Sequence, residues 1–398
     1  MPNARILPPA RLLLWLLLGG LAGALSACRP PQSAGPSSAA PGEIIYFVPV
    51  TSAVAALTFD DGPNGAATEQ ILDLLQHYRV PAAFFLIGTN VLHYPALAQR
   101  IAREGHLIGN HSFVHPRFDQ MSTAAMAQEI AAGTEAIASV TGIRPAWLRP
   151  PYGINGPGLR EVCRAQGLTI AGWSLDASDW NPHSAQEIAE HVLSGLTPGD
   201  ILLLHDGCET QPDANRQSTV EAVALILERL SQAGCRFVSL PELLRRQGPP
   251  LAEFANGVRL LGLQLSAQPV SGATLGVRYF WDLPADWSRA DPSMAFVHFV
   301  GQHARLQDDH RLPSSQDVRD LALASRPRRL PLPATAAPGR YQIRIGLFDP
   351  ARPQVKRRIP IRYAPQQHQR AVVLPVELEL SAPHNDQAGW CRSAGPWS

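Results

Sequence analysis

Residues 54–63 read Val54-Ala-Ala-Leu-Thr-Phe-Asp-Asp-Gly-Pro63. A short apolar run bounded by a turn signal is the pattern of a fully buried strand. The run ends in two adjacent carboxylates, Asp60 and Asp61, followed by Gly62-Pro63. Asp and Gly favour turns for local reasons, so the pair alone is compatible with an ordinary turn. About fifty residues on comes His111-Ser-Phe-Val-His115, and a chain with thirteen histidines offers such a pair by chance as well. Taken together, the four side chains supply one carboxylate and two imidazoles for a divalent metal. A second carboxylate is left over to act as a base, which completes a minimal set for metal-assisted hydrolysis.

Working outward, residues 44–248 alternate between short apolar runs and longer amphipathic segments. Strands are predicted at Val54–Phe59, Ala82–Ile87, Leu107–Asn110, Trp147–Leu148, Thr169–Ser174, Ile201–Leu204 and Phe237–Ser239. Ser122 is placed to cap a helix that runs to Thr141 with Gly142 beyond it, and a second helix covers Thr219–Ala233 with Gly234 beyond it. This alternation implies a parallel sheet closed, or nearly closed, into a distorted α/β barrel of about seven strands.

The polar clusters share a register. Asp60 and Asp61 follow the first strand and His111 the third. Arg149 follows Trp147-Leu148, Asp176 and Asp179 follow the fifth strand, and His205 and Asp206 follow Leu202-Leu-Leu204. Each falls at the C-terminal end of a parallel strand, the face that carries active sites in such barrels. Residues with purely structural roles would be scattered between both ends.

These segments resemble the five motifs of the polysaccharide deacetylase family (NodB-like, carbohydrate esterase family 4). They are Thr58-Phe-Asp-Asp-Gly-Pro63, His111-Ser-Phe-Val-His115, Arg149-Pro-Pro-Tyr-Gly153, Asp176-Ala-Ser-Asp-Trp180 and Leu203-Leu-His-Asp206, in order and intact at the key positions. The resemblance spans roughly residues 50–245. It implies Asp61, His111 and His115 as metal ligands, with Zn²⁺ the default ion and Co²⁺, Ni²⁺, Mn²⁺ or Fe²⁺ compatible with a mixed O/N site. It implies Asp60 as general base toward the attacking water, His205 as general acid, Asp176 as the residue that orients His205, and Arg149 as the partner of Asp60. The backbone amide of Tyr152 is expected to stabilise the oxyanion, with Trp180 and Leu204 lining the pocket for the acetyl group and the sugar. Asp179 and Asp206 have weaker claims, because capping or supporting bonds explain either. The implied reaction is removal of N-acetyl groups from N-acetylglucosamine units of an envelope or extracellular polysaccharide.

Alternatives use the same residues. The machinery could act on O-acetyl esters or non-sugar amides, since motifs report the reaction centre and not the rest of the ligand. A non-catalytic polysaccharide-binding lipoprotein is a third reading, and a two-His, one-carboxylate iron oxygenase a fourth.

Composition bounds the rest. The chain has 398 residues, 45% of them hydrophobic, with a formal net charge of +1. It can bury a large core in two or three domains, and it lacks the basic field of a nucleic-acid binder. At the N-terminus Arg5 and Arg11 precede Leu12-Leu-Leu-Trp-Leu-Leu-Leu18, which reads as an export signal over residues 1–27. Leu25-Ser-Ala-Cys28 resembles a bacterial lipobox, implying lipid attachment at Cys28 and a membrane-anchored envelope protein. Residues 28–43 then read as a flexible tether. Cys163, Cys208, Cys235 and Cys391 allow three full disulfide pairings, and spacing does not choose among them.

After Pro249-Pro250 the pattern turns to period-two alternation. Strands are predicted at Val258–Ser266, Thr274–Leu283, Ala295–Val300, Tyr341–Phe348 and Ala371–Leu380, giving an all-β, Ig-like sandwich over residues 256–381. Ala304–Arg340 reads as a long polar connection, and residues 382–398 as an irregular tail. Tyr279, Phe280, Trp281 and Trp287 could form a sugar-stacking platform or simply core.

Overall fold

The structure is a computed structural model. It describes residues 39–265, 274–284, 294–302, 305–312, 328–332, 339–350, 359, 361–364, 367–368 and 371–380. The expected signal segment, Cys28, Cys391, Trp287 and the tail after 381 lie outside these residues.

The N-terminal unit is built on β1 (Ile44–Ile45), β2 (Val54–Asp60), β3 (Ala83–Leu86), β4 (Leu107–Asn110), β5 (Trp147–Leu148), β6 (Thr169–Ala171), β7 (Leu175–Asp176), β8 (Ile201–His205) and β9 (Arg236–Phe237). Among them run α1 (Gly65–Tyr78), α2 (Gly88–His93), α3 (Pro95–Arg103), α4 (Thr123–Thr141), α5 (Leu159–Gln166), α6 (Ala185–Gly195), α7 (Gln217–Ala233) and α8 (Leu240–Arg245). The strands form one parallel sheet in the order β1-β6-β5-β4-β3-β2-β8-β7, with β9 also paired to β2. The sheet is therefore a half-barrel with edges at β1 and β7. The expected single strand over 169–174 is divided, because Gly172–Ser174 crosses from β6 to β7. The short β1 carried no periodic signal. Residues 39–43, assigned to the tether by composition, include the buried Ala39, and Gly42 N–H donates to Leu168 O at 2.8 Å.

All seven residues of β2 are buried, as expected of a central parallel strand covered on both faces. Alternation divides them. Ala55, Leu57 and Phe59 face an outer core shared with α1, α6 and α7, whereas Ala56 joins an inner core with Phe85, Trp147, Trp173 and Leu203. Thr58 and Asp60 keep the inner phase of Ala56. The ladder then sets Asp60 directly beside His205 of β8 and beside Phe85 of β3. The Ser122 hydroxyl accepts the Ala125 N–H, and Gly142 ends α4 at φ 72°, so both caps fall where the sequence placed them.

The C-terminal unit has two antiparallel sheets. One runs in the order β16 (Arg328–Pro331), β12 (Thr274–Asp282), β11 (Arg259–Leu265), β10 (Ala252–Phe254), β18 (Ile361–Tyr363). The other runs β14 (Arg305–Gln307), β13 (Met294–Val300), β17 (Gly339–Phe348), β20 (Ala371–Leu380), β19 (Gln367–His368), with β15 (His310–Arg311) also on β13. Leu260, Val277 and Tyr279 from the first share one core with Val297, Ile343 and Ile345 from the second. Among its described residues, the expected long connection over 304–340 contains the short strands β14 to β16, too brief to show a period. Tyr279, Phe280 and Trp281 are all buried, so they are core and not a sugar platform. Cys163 and Cys208 are free thiols, while Cys235 is disulfide-bonded.

Candidate active site

Asp60 closes β2 and Asp61 begins the turn. On an extended strand the two carboxylates would point to opposite faces. Asp61 instead adopts the left-handed conformation, φ 72°, ahead of the cis peptide Gly62-Pro63, and both side chains converge on one centre. The turn packs tightly against the loop after β8. A Cβ on Gly62 would lie 2.2 Å from Asp206 Oδ2, and one on Gly207 would lie 2.2 Å from Asp61 O. Only glycine permits that approach. Asp206 sits between the loops as a fully buried carboxylate bonded to Thr68 Oγ1 at 2.5 Å. Burial pushes its pKa up to about 7, with Asp61 and Asp60 adding to the rise.

The imidazoles come from the loop after β4. Asn110 anchors it to α4 through Ile130 O and Thr134 Oγ1, at 2.7 and 2.9 Å, and accepts the Ser112 N–H at 2.7 Å. Glu129 Oε1 accepts the Phe113 and Val114 N–H groups, and Ser112 Oγ accepts that of His115. His111 Nδ1 lies 2.7 Å from Arg149 O. A carbonyl can only accept, so Nδ1 carries the proton and Nε2 keeps its lone pair.

Asp61 Oδ1 lies 3.4 Å from His111 Nε2 and 3.3 Å from His115 Nε2. The three buried residues place one ligand atom each within 4.8 Å of one another. Asp61 Oδ1 is buried without any hydrogen-bond partner, a costly state for a carboxylate oxygen unless an ion completes it. Burial would raise the Asp61 pKa, but the adjacent His111 imidazole and the charge of His205 hold it far below the usual carboxylate range. His115 is pushed down to about 3, chiefly by burial and then by His111, which leaves it neutral as a ligand must be. The donor set therefore fits a divalent cation of the zinc type.

Asp60 is held separately. Arg149, with no exposure, donates from Nη1 to Asp60 Oδ1 at 2.7 Å and to Thr58 Oγ1 at 2.9 Å. Its remaining donors reach Ala171 O and Gly172 O. The guanidinium lies 4.2 Å above the Phe85 ring. Asp60 Oδ2 stays 3.7 Å from His111 Nε2.

His205 corrects one expectation. Its Nδ1 bonds Asp179 Oδ1 at 2.8 Å, not Asp176, and its backbone N–H donates to Asp179 Oδ2 at 2.9 Å. Thr219 Oγ1 also donates to Asp179, at 2.9 Å. Asp176 instead accepts the Ser178 N–H at 2.7 Å, interacts with the Trp180 side chain, and meets His205 only through its charge, along with the charges of Arg149 and Arg278. Ser178, at φ 57°, turns the chain so that the later carboxylate reaches the imidazole. Burial alone would lower the His205 pKa, but Asp179, followed by Asp61 and Asp60, raises it to about 9.

Tyr152 follows two prolines that lack N–H donors and is left-handed at φ 58°, ψ 11°. Its ring packs 4.5 Å from that of His115, and its hydroxyl bonds Glu209 Oε1 at 3.0 Å. Tyr152 and Trp180 stand 42% and 57% exposed at the rim. Leu204 does not line this pocket. It is fully buried and faces the outer, helix-covered core, because it is out of phase with His205 on β8. Sequence reasoning missed Glu209, whose N–H donates to Asp61 Oδ2 at 3.0 Å, and Asn90, which donates to both Asp61 O and Glu209 O. Neither belongs to a motif, and no periodic signal marks a loop residue. Asp61, Ser112, His115, Tyr152, Ser178 and Glu209 are six of the seven non-glycine residues with positive φ among those described, so the left-handed backbone gathers around this centre.

The sequence profile described as polysaccharide deacetylase matches residues 48–171. A peptidoglycan-N-acetylglucosamine deacetylase of Bacillus cereus is 36% identical over 197 residues, covering 50% of this chain and 70% of that protein. A chitooligosaccharide deacetylase of Bradyrhizobium sp. is 36% identical over 194 residues, 47% of this chain and 89% of that protein. The match to the peptidoglycan-N-acetylglucosamine deacetylase of Listeria monocytogenes is 37% identical but covers only 38% of that longer protein. A crystal structure of a peptidoglycan N-acetylglucosamine deacetylase bound to a hydroxybenzamide compound superposes with a TM-score of 0.48 at 34% identity, covering 52% of this chain and 95% of that one. With two of these relatives matched over more than two thirds of their length, the chain belongs to the polysaccharide deacetylase family.

Proposed function

We propose that the chain is a metal-dependent N-deacetylase that hydrolyses the acetamide of N-acetylglucosamine units in peptidoglycan or a chitin-like polymer. The observation that carries this reading is the division of labour between neighbours. Asp61 joins His111 and His115 in a three-ligand group, while Asp60 is withheld from it by Arg149.

A divalent ion held by Asp61, His111 and His115, Zn²⁺ by default with Co²⁺, Ni²⁺ or Mn²⁺ also suited, would acidify water and polarise the acyl oxygen. Asp60 accepts the proton of the attacking water, its Oδ2 being free of Arg149. The new C–O bond places negative charge on the former carbonyl oxygen, which the Tyr152 backbone amide stabilises. His205, protonated and fixed by Asp179, gives its proton to the sugar nitrogen as the C–N bond breaks. Acetate and a free amine leave. Trp180 and the Tyr152 ring offer flat apolar surface at the rim for the sugar faces. The Leu25–Cys28 segment supports export and lipid anchoring, which would bring this centre to envelope glycan.

The test is acetate release from N-acetylated chitooligosaccharides and peptidoglycan fragments, with O-acetylated xylan as the comparison. Asp60→Ala should abolish release while metal stays bound. Near-normal turnover by that variant, or preference for the ester, would refute the reading.

A further inference from the structure

The half-barrel's two edges, β1 and β7, are both met by the first sheet of the C-terminal sandwich. Phe280 of β12 stacks on Phe47, two residues past β1, with ring centroids 4.0 Å apart and planes 3° from parallel. Tyr46 Oη donates to Trp281 O. At the other edge, Arg278 Nη1 donates to Ser174 O at 2.6 Å, immediately before β7, and Gln264 Nε2 donates to Gly195 O at the end of α6. A close fit is required here, because a Cβ on Gly262 would lie 2.6 Å from the Phe47 ring.

The segment that Arg278 grips is the one that supports the chemistry. Residues 171–174 cross from β6 to β7. At one end Ala171 O and Gly172 O accept from Arg149, the residue that holds Asp60. At the other end Ser174 O accepts from Arg278. Ser174 is tied to β8 as well, through Oγ to Asp200 Oδ1 at 2.6 Å and through its N–H to Ile201 O at 3.1 Å. Five residues beyond Ser174 lies Asp179, which orients His205. The Arg278 guanidinium also faces the buried carboxylate of Asp200 and the half-buried one of Asp176. Without it Asp200 would keep only neutral donors, Ser174 Oγ and Thr197, and an uncompensated buried charge is destabilising.

We propose that Arg278, carried by the C-terminal sandwich, is a positioning residue for the deacetylation centre, fixing the 171–179 segment on which Arg149 and Asp179 depend. The sandwich is thus a supporting wall of the half-barrel in addition to any role on the polymer. The proposal rests on the deacetylase reading above, and its test separates the two.

Arg278→Met and Arg278→Lys are made in the full chain. Arg278→Met should lower kcat roughly tenfold with KM within about twofold, since small displacements of catalytic groups cost rate more than binding. Arg278→Lys, which keeps a charge and one donor, should recover much of that loss. In metal-free protein, amide hydrogen exchange at residues 172–180 should quicken in Arg278→Met, while the ligand loop 111–115 stays protected as in wild type. A folded Arg278→Met with unchanged kcat and unchanged exchange at 172–180 overturns the proposal, as does a uniform rise in exchange throughout the half-barrel. If Arg278→Met does not fold, Arg278→Gln, which also removes the charge, is compared with Arg278→Lys by the same two measurements. A wild-type chain that releases no acetate would end the deacetylase reading, and exchange at 172–180 would still decide whether Arg278 holds this segment.

Discussion

Asp179 grips His205 twice, through the ring Nδ1 at 2.8 Å and through the backbone N–H at 2.9 Å. One carboxylate therefore fixes both the position of the residue and the tautomer of its ring. With Nδ1 occupied by Asp179, the transferable proton sits on Nε2.

Asp179→Asn should cut kcat by roughly 10²–10³-fold, because an amide can present the wrong partner to Nδ1 and no longer supports the imidazolium. Asp176→Asn should cost less, since Asp176 bonds a backbone N–H and not the imidazole. Steady-state acetate release by the two variants ranks them. A heavier loss in Asp176→Asn would return the orienting role to that residue.

The His205 pKa of about 9 in the metal-free protein sets a pH signature. A general acid must be protonated, so kcat/KM should fall as pH rises through the His205 pKa. A bound cation repels the imidazolium and draws this limb below 9. The same shift bears on folding. A pKa raised above the unfolded value of about 6.5 contributes stability that is fully present below 6.5 and is lost as pH rises through about 9. NMR titration of the His205 ring with and without Zn²⁺ should show both positions, and a titration near 6.5 in metal-free protein would contradict the Asp179 interaction.

Chelation should abolish turnover and lower the melting temperature, and Zn²⁺ should restore both. A ligand at a hundred times its Kd stabilises by about 2.7 kcal/mol. His115→Ala should lose both the metal and the melting-temperature response, whereas Asp60→Ala should keep them. A melting temperature indifferent to metal would remove Asp61, His111 and His115 from the ligand role.

Arg149→Met should be among the most damaging single changes in the chain. It leaves Asp60 buried without its ion partner and strips donors from Ala171 O and Gly172 O. Breaking a buried pair from one side costs about 3–5 kcal/mol, readable as a shift in denaturant midpoint. A change under about 1 kcal/mol would mean that water replaces the guanidinium freely.

Strand register explains why so much of the centre was legible. Asp60, His111, Arg149 and His205 each end or follow a buried parallel strand, and period-two alternation settles which of them face inward. The same rule shows why Leu204 had to face the helices once His205 faced the centre. Asp176 and Asp179 lie beyond the reach of that rule, since they sit three residues apart in one loop and a single left-handed residue, Ser178, decides between them. Glu209 and Asn90 act through backbone atoms of their neighbours, which side-chain identity does not announce. In the sandwich, long strands such as β17 and β20 showed their alternation, whereas β10 and β14 to β16 are too short to carry one. The grip of Arg278 on Ser174 joins residues 104 positions apart, a pairing that local pattern cannot specify.

The gathering of left-handed backbone at Asp61, Ser112, His115, Tyr152, Ser178 and Glu209 bears on how this protein can be improved. Glycine at Ser112 or Ser178 would relieve roughly 1 kcal/mol of local strain. It would also loosen the unfolded chain by a comparable amount, so the net gain in stability is close to nothing. The rate has no such cancellation, because freedom gained at those positions is freedom given to the ligand loop and to Asp179. Thermostabilising efforts on this scaffold should therefore leave the rim alone and work on the helices behind the sheet, where folding and turnover are not drawn from the same residues.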